Sequence, residues 1–170
     1  MPLEVTFAPT RINLHEAPRV IARARALGAF RFNTGKLMRV GTAARLWDRL
    51  EPSAGQYEEF LALLAREAGA LVGEMEICYS PFTLEEGLAR ALDDPPATML
   101  VLPNGVVKVA AAVPHVCADL RQTTLAHAWQ SYRQAWSDAE FTADVHRAIA
   151  EPERHAEANN IRRIVSFANV

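Results

Sequence analysis

Along the chain, stretches where apolar and polar residues alternate give way to stretches where apolar residues recur about every three to four positions, and the switches mark elements. Leu3, Val5 and Phe7 alternate with Glu4 and Thr6, which predicts a short strand over 3–8. Pro18 suits the first turn of a helix that runs to Leu27 with Val20, Ile21, Ala24 and Leu27 as its apolar stripe and Gly28 as its stop. Residues 29–40 predict a hairpin. A loop of Asn33, Thr34 and Gly35 pairs Phe30 with Met38 and Phe32 with Lys36, which sets Phe30, Phe32, Met38 and Val40 on one face and Arg31 and Arg39 on the other. A short helix follows over 43–50. Ser53-Ala-Gly-Gln56 then reads as a capping box opening a longer helix, with Tyr57, Phe60, Leu61, Leu64 and Ala68 at helical spacing.

Residues 74–80 alternate again, Met75, Ile77 and Tyr79 against Glu74, Glu76, Cys78 and Ser80, the pattern of an antiparallel strand with one wet face. Thr83-Leu-Glu-Glu86 is a second capping box before a helix that Pro95 and Pro96 end. Over 98–113, Asn104-Gly105 suits a type I′ turn that pairs Leu102 with Val107 and Leu100 with Val109. From 116 onward the chain reads helical: 116–136 carries Leu125, Trp129, Tyr132 and Trp136, and Ser137-Asp-Ala-Glu140 caps a helix with Phe141, Val145 and Ile149. Beyond Pro152, a last helix carries Ile161, Ile164, Val165 and Ala168. The expected fold is a single α+β domain over 1–170: a mostly antiparallel sheet built from two hairpins plus single strands, packed by helices, with a helical C-terminal third.

Composition narrows the class. The chain has 170 residues, half of them hydrophobic and 22% charged, enough to bury a core. Its charge-free stretches over 97–107 and 109–118 are split by Lys108 and broken by Pro103 and Pro114, short of the roughly 20 apolar residues a membrane helix needs. The opening residues have neither a basic nor an apolar leader region. Cys78 and Cys117 are too few for a disulfide framework or a cysteine-built zinc site. These features predict a soluble, cytoplasmic domain with no membrane partner.

The net charge of -2 hides a division. Residues 1–50 hold nine Arg and Lys against three Asp and Glu, residues 51–100 two against ten, and the remainder seven of each. Such segregation either supplies a basic surface for a polyanion or neutralises itself within the fold. As a surface, its candidates are Arg19, Arg23, Arg31, Lys36 and Arg39, which would bind nucleic acid or a phosphorylated ligand. Thr34-Gly35-Lys36 is not a phosphate loop, because Phe30 and Leu37 stand where that motif needs Gly and Ser or Thr. A helix-turn-helix made of the 43–50 helix and the helix after Ser53 is disfavoured by Glu58 and Glu59 at the groove-entering end.

His115-Val-Cys117-Ala-Asp119 is the one place where catalytic residue types crowd together. Cys117 in the first turn of a helix would have its thiolate favoured by the helix dipole, and His115 ahead of that helix would serve as base. His115 and Asp119 alone do not make a zinc site, so neither a metal nor a cofactor is expected. Trp129, Tyr132 and Trp136 share one helix face and suit either the core or a protein-binding anchor. The function favoured by sequence is a non-enzymatic protein-interaction or regulatory module: an adaptor, inhibitor, immunity-type or assembly protein with another protein as its partner. A binder of nucleic acid or phosphorylated ligands comes second, and a small enzyme using Cys117 and His115 third.

Overall fold

The computed structural model describes residues 2–163, and the chain divides into two compact units. The first comprises the residues up to Leu37 together with Leu46–Thr83, and the second comprises Met38–Arg45 together with everything from Leu84.

The first unit contains β1 (Glu4–Thr6), α1 (Ala17–Ala26) and β2 (Arg31–Gly35). After the excursion that carries α2 (Thr42–Arg45) into the second unit come α3 (Trp47–Leu50), α4 (Ala54–Ala70) and β3 (Glu76–Ser80). Its sheet has the order β1-β2-β3 and is parallel throughout, with Val5 beside Phe32 beside Ile77, and Glu4 beside Arg31 beside Glu76. The hairpin expected over 29–40 does not form. Residues read as its loop are strand, because β2 finds partners on both sides, in β1 and in β3. Gly35 marks close approach rather than a turn: a Cβ there would lie 2.8 Å from the Ser80 carbonyl oxygen.

Both crossovers step the same way across the sheet, and right-handed connections then put α1 and α4 on the same face. Fully buried Phe32 is central to that core, stacked on Phe7 and packed with Ile21, Phe60 and Leu64. The other face carries Glu4, Thr6, Arg31, Asn33, Glu76 and Cys78, exposed or half-buried. One wet face explains why 74–80 alternates like an antiparallel strand although it is parallel. Both bonds of the Ser53–Gln56 capping box are present.

The second unit adds α5 (Leu84–Asp93), β4 (Leu100–Val101), β5 (Val106–Lys108), β6 (His115–Asp119), α6 (Leu125–Ala135), α7 (Ala139–Ala150), the 3-10 segment Pro152–Glu157 and β7 (Arg162–Arg163). Its sheet order is β4-β5-β6-β7, antiparallel except for the β6–β7 pair. The second hairpin forms one register step from expectation, with Val101 opposite Val107 and Leu100 opposite Lys108. The loop therefore has Pro103, Asn104 and Gly105, with only Gly105 at positive φ (+80°), whereas a type I′ turn needs two such residues.

Residues 115–119 are strand, not the start of a helix. β6 pairs on both sides, and four of its five residues are buried, so Val116, Cys117 and Ala118 form an unbroken apolar run that periodicity cannot tell from a buried helix. Helix α6 starts at Leu125, where the Thr124 hydroxyl accepts from the His127 amide. Asp138, rather than Ser137, caps α7 by accepting from the Phe141 amide. Ile161 precedes β7 instead of lying in a last helix, and Ile164, Val165 and Ala168 lie outside the described residues. Mixed helix and strand therefore holds, but a mostly antiparallel sheet of two hairpins does not. No helix among the described residues is long and apolar enough to cross a membrane.

Candidate functional site

The basic candidates separate. Arg31 is bound on both sides within its own sheet row: Nε donates to Glu76 Oε2 at 2.8 Å and Nη1 to Glu4 Oε1 at 3.3 Å, while the guanidinium sits 5.1 Å from the Phe30 ring centre. That hydrogen bond raises the Arg31 pKa and holds the Glu76 carboxyl below its ordinary value. The hairpin that would have set Arg39 on one face with Arg31 is absent. Arg39 belongs to the second unit and is half-buried. Arg19 and Arg23 are exposed on α1, and Lys36 is exposed just past β2. None of these three is in an ion pair among the described residues, whereas Arg25, not singled out by sequence, forks onto Glu74 at 2.7 and 2.9 Å. Part of the basic first segment thus meets the acidic second one inside the first unit.

The nucleophile–base pair is not assembled. Cys117 is buried in β6, its thiol faces the Val107 carbonyl at 3.7 Å, and burial pushes it up to about 11, away from reactivity. His115 is equally buried, edge-on to Phe141, with Nε2 3.1 Å from Asp144 Oδ2. Burial pushes this imidazole down, and Arg147 takes up the Asp144 charge that would otherwise favour an imidazolium. Asp119 is held by Arg121. Among the described residues no group of three or more His, Cys, Asp or Glu could hold a metal.

The aromatic trio is core rather than anchor. Tyr132 and Trp136 are buried, Tyr132 donates to the Pro96 carbonyl, and half-buried Trp129 stacks on Tyr132 at 5.3 Å between ring centres.

Sequence reasoning missed two features. One is a pair of buried cationic-type side chains in the second unit. Lys108 Nζ donates to the Ala111 and Ala158 carbonyls at 2.8 and 2.7 Å, and burial pushes its pKa down. The ring of fully buried His155 lies between the Arg39 and Ala148 carbonyls. The other is an apolar end to the first unit. Leu3, Leu27, Phe30 and Val72 are 39, 54, 38 and 81% exposed, and they lie on the segments that lead into β1, β2 and β3. In a parallel sheet those segments share one end, so strand direction, not hydropathy, was the signal needed to group them. No protein-family model matches the chain, and no curated protein is similar to it.

Proposed function

We propose that the chain is a non-enzymatic protein-interaction module that docks a partner protein on the apolar end of its first unit. The observation that carries this reading is the grouping of Leu3, Leu27, Phe30 and Val72 at the entry ends of three parallel strands. Single exposed apolar residues are ordinary, but a contiguous patch rimmed by polar groups is the mark of an interaction site. The charges nearest these residues along the chain are paired, Arg25 with Glu74 and Arg31 with Glu4 and Glu76. Pairing leaves the patch without a strong field of either sign, which favours an apolar protein surface over a polyanion.

The test places a photo-crosslinker at Val72 in the native host and compares the chain with its Phe30→Asp and Leu27→Asp variants. A single dominant protein adduct, lost in both variants at an unchanged unfolding midpoint, supports the reading. An adduct pattern indifferent to these substitutions counts against it. The second reading rests on Arg19, Arg23 and Lys36, which are exposed and in no ion pair among the described residues. It predicts binding to a random oligonucleotide that weakens steeply with salt and loses about one unit of salt slope per cation removed.

A further inference from the structure

One residue holds Met38–Arg45, the stretch of the N-terminal half that belongs to the second unit, from two sides. The His155 carbonyl accepts the Gly41 amide at 3.0 Å. On the ring, Nδ1 faces the Arg39 carbonyl at 3.0 Å and Nε2 faces the Ala148 carbonyl, in the last turns of α7, at 2.9 Å. Carbonyl oxygens only accept, so both contacts are hydrogen bonds only when both ring nitrogens carry protons, and a neutral imidazole carries one. The ring is fully buried, so solvent does not satisfy the unmatched side. Two neighbours suit a cation here. The Glu85 carboxylate in the first turn of α5 lies 3.6 Å from Nδ1, and the Ala148 carbonyl belongs to a helix C-terminus. The other titratable groups on the surrounding elements are Glu86, Arg90 and Asp93 of α5, Glu140, Asp144, His146 and Arg147 of α7, and Glu153, Arg154 and Glu157 of the 3-10 segment. The held segment itself carries Arg39 and Arg45, the latter donating to the Ala156 carbonyl, and Lys108 of β5 donates to the Ala158 carbonyl.

We propose that His155 is a proton-operated clasp on the Met38–Arg45 segment. The doubly protonated ring bridges Arg39 to α7 and fixes the segment. Loss of one proton leaves a single donor, which stays with the sequence-local Ala148 carbonyl, and the Arg39 side opens. This device lies in the second unit and does not rest on the interaction reading.

The experiment uses the full chain and follows two signals across a pH series from acid to neutral. These are the ring nitrogen resonances of His155 and the hydrogen exchange of the Gly41 amide, corrected for its intrinsic pH dependence. The expected result is two protonated ring nitrogens at the acid end. As one proton is lost with rising pH, Gly41 exchange should rise by about tenfold, one hydrogen bond's worth, while β1–β3 amides keep their rates. His155→Gln should abolish this pH dependence, and Glu85→Gln should move the opening to lower pH. If His155→Gln does not fold, Glu85→Gln and the ring resonances carry the test. A ring that keeps one tautomer throughout, with Gly41 exchange flat, overturns the proposal.

Discussion

His115 donates to one carboxylate and offers Nδ1 no hydrogen-bond partner among the described residues, so its setting suits the neutral ring. With its folded value pushed below the ordinary imidazole value, the unfolded chain takes up the proton first as acid is added. The stability His115 contributes is therefore present above about pH 6.5 and lost as the pH falls below it. Thermal midpoints measured from pH 7 to 5 should drop more steeply for the wild type than for His115→Gln, and equal slopes would refute a neutral buried ring. The two thiols give a second residue-scale expectation. Cys117, buried and pushed up to about 11, should resist alkylation until the chain unfolds, while half-buried Cys78, also pushed up by desolvation, should label slowly in the native protein. Fast native labelling of Cys117 would revive its catalytic reading. The crowding of His115, Cys117 and Asp119 was legible because it is a fact of spacing. Their chemistry was not, because it depends on whether the backbone beneath them is strand or helix.

At the scale of elements, what sequence shows well is whatever is decided within a few residues. The Ser53 capping box and the stop at Gly28 are local and recur in the structure, as do Val20, Ile21 and Ala24 of the α1 stripe, whereas Leu27, its fourth residue, caps the helix and is exposed. Strand pairing is not local. β2 lies between β1 and β3, whose partner residues are more than a helix away in sequence, and Asn33-Thr34-Gly35 carries turn chemistry that tertiary pairing overrides. The hairpin between β4 and β5 was legible because its turn closes on itself, although Pro103 joins the loop and moves the register by one residue. Gly105 is the residue this loop requires. Gly105→Ala forces a left-handed conformation on a side chain whose Cβ would also crowd Arg121 at 3.3 Å, and should destabilise the second unit by about 1–2 kcal/mol. Denaturant unfolding of that variant reads the loss, and an unchanged midpoint would mean that the loop tolerates another geometry.

At the scale of the molecule, the charge division along the sequence and the division into units do not coincide. Arg25 and Arg31 from the basic segment close on Glu74 and Glu76 from the acidic one, and all four lie in the first unit. Part of the +6 and −8 of the two segments is thus answered locally, and Arg31, read from sequence as a member of a basic surface, is instead paired within its own sheet. The apolar division is cleaner. The core around Phe32 draws on the first unit alone, and the core around Tyr132 and Phe141 on the second alone. Two cores without a shared residue predict that damage to one is felt mainly there, even though the chain crosses between the units three times. Phe32→Ala removes a fully buried ring and should destabilise by about 3–5 kcal/mol. If the first unit opens as its own cooperative block, amide exchange in β1, β2 and β3 should accelerate about a hundredfold or more in that variant. Amides of β5 and β6 around Val107 and Cys117 should change far less, and Tyr132→Ala should give the mirror-image result. Equal acceleration across both sheets in either variant would show that the two cores unfold as one, and that the single domain expected from sequence describes the molecule's cooperativity better than the division of its contacts does.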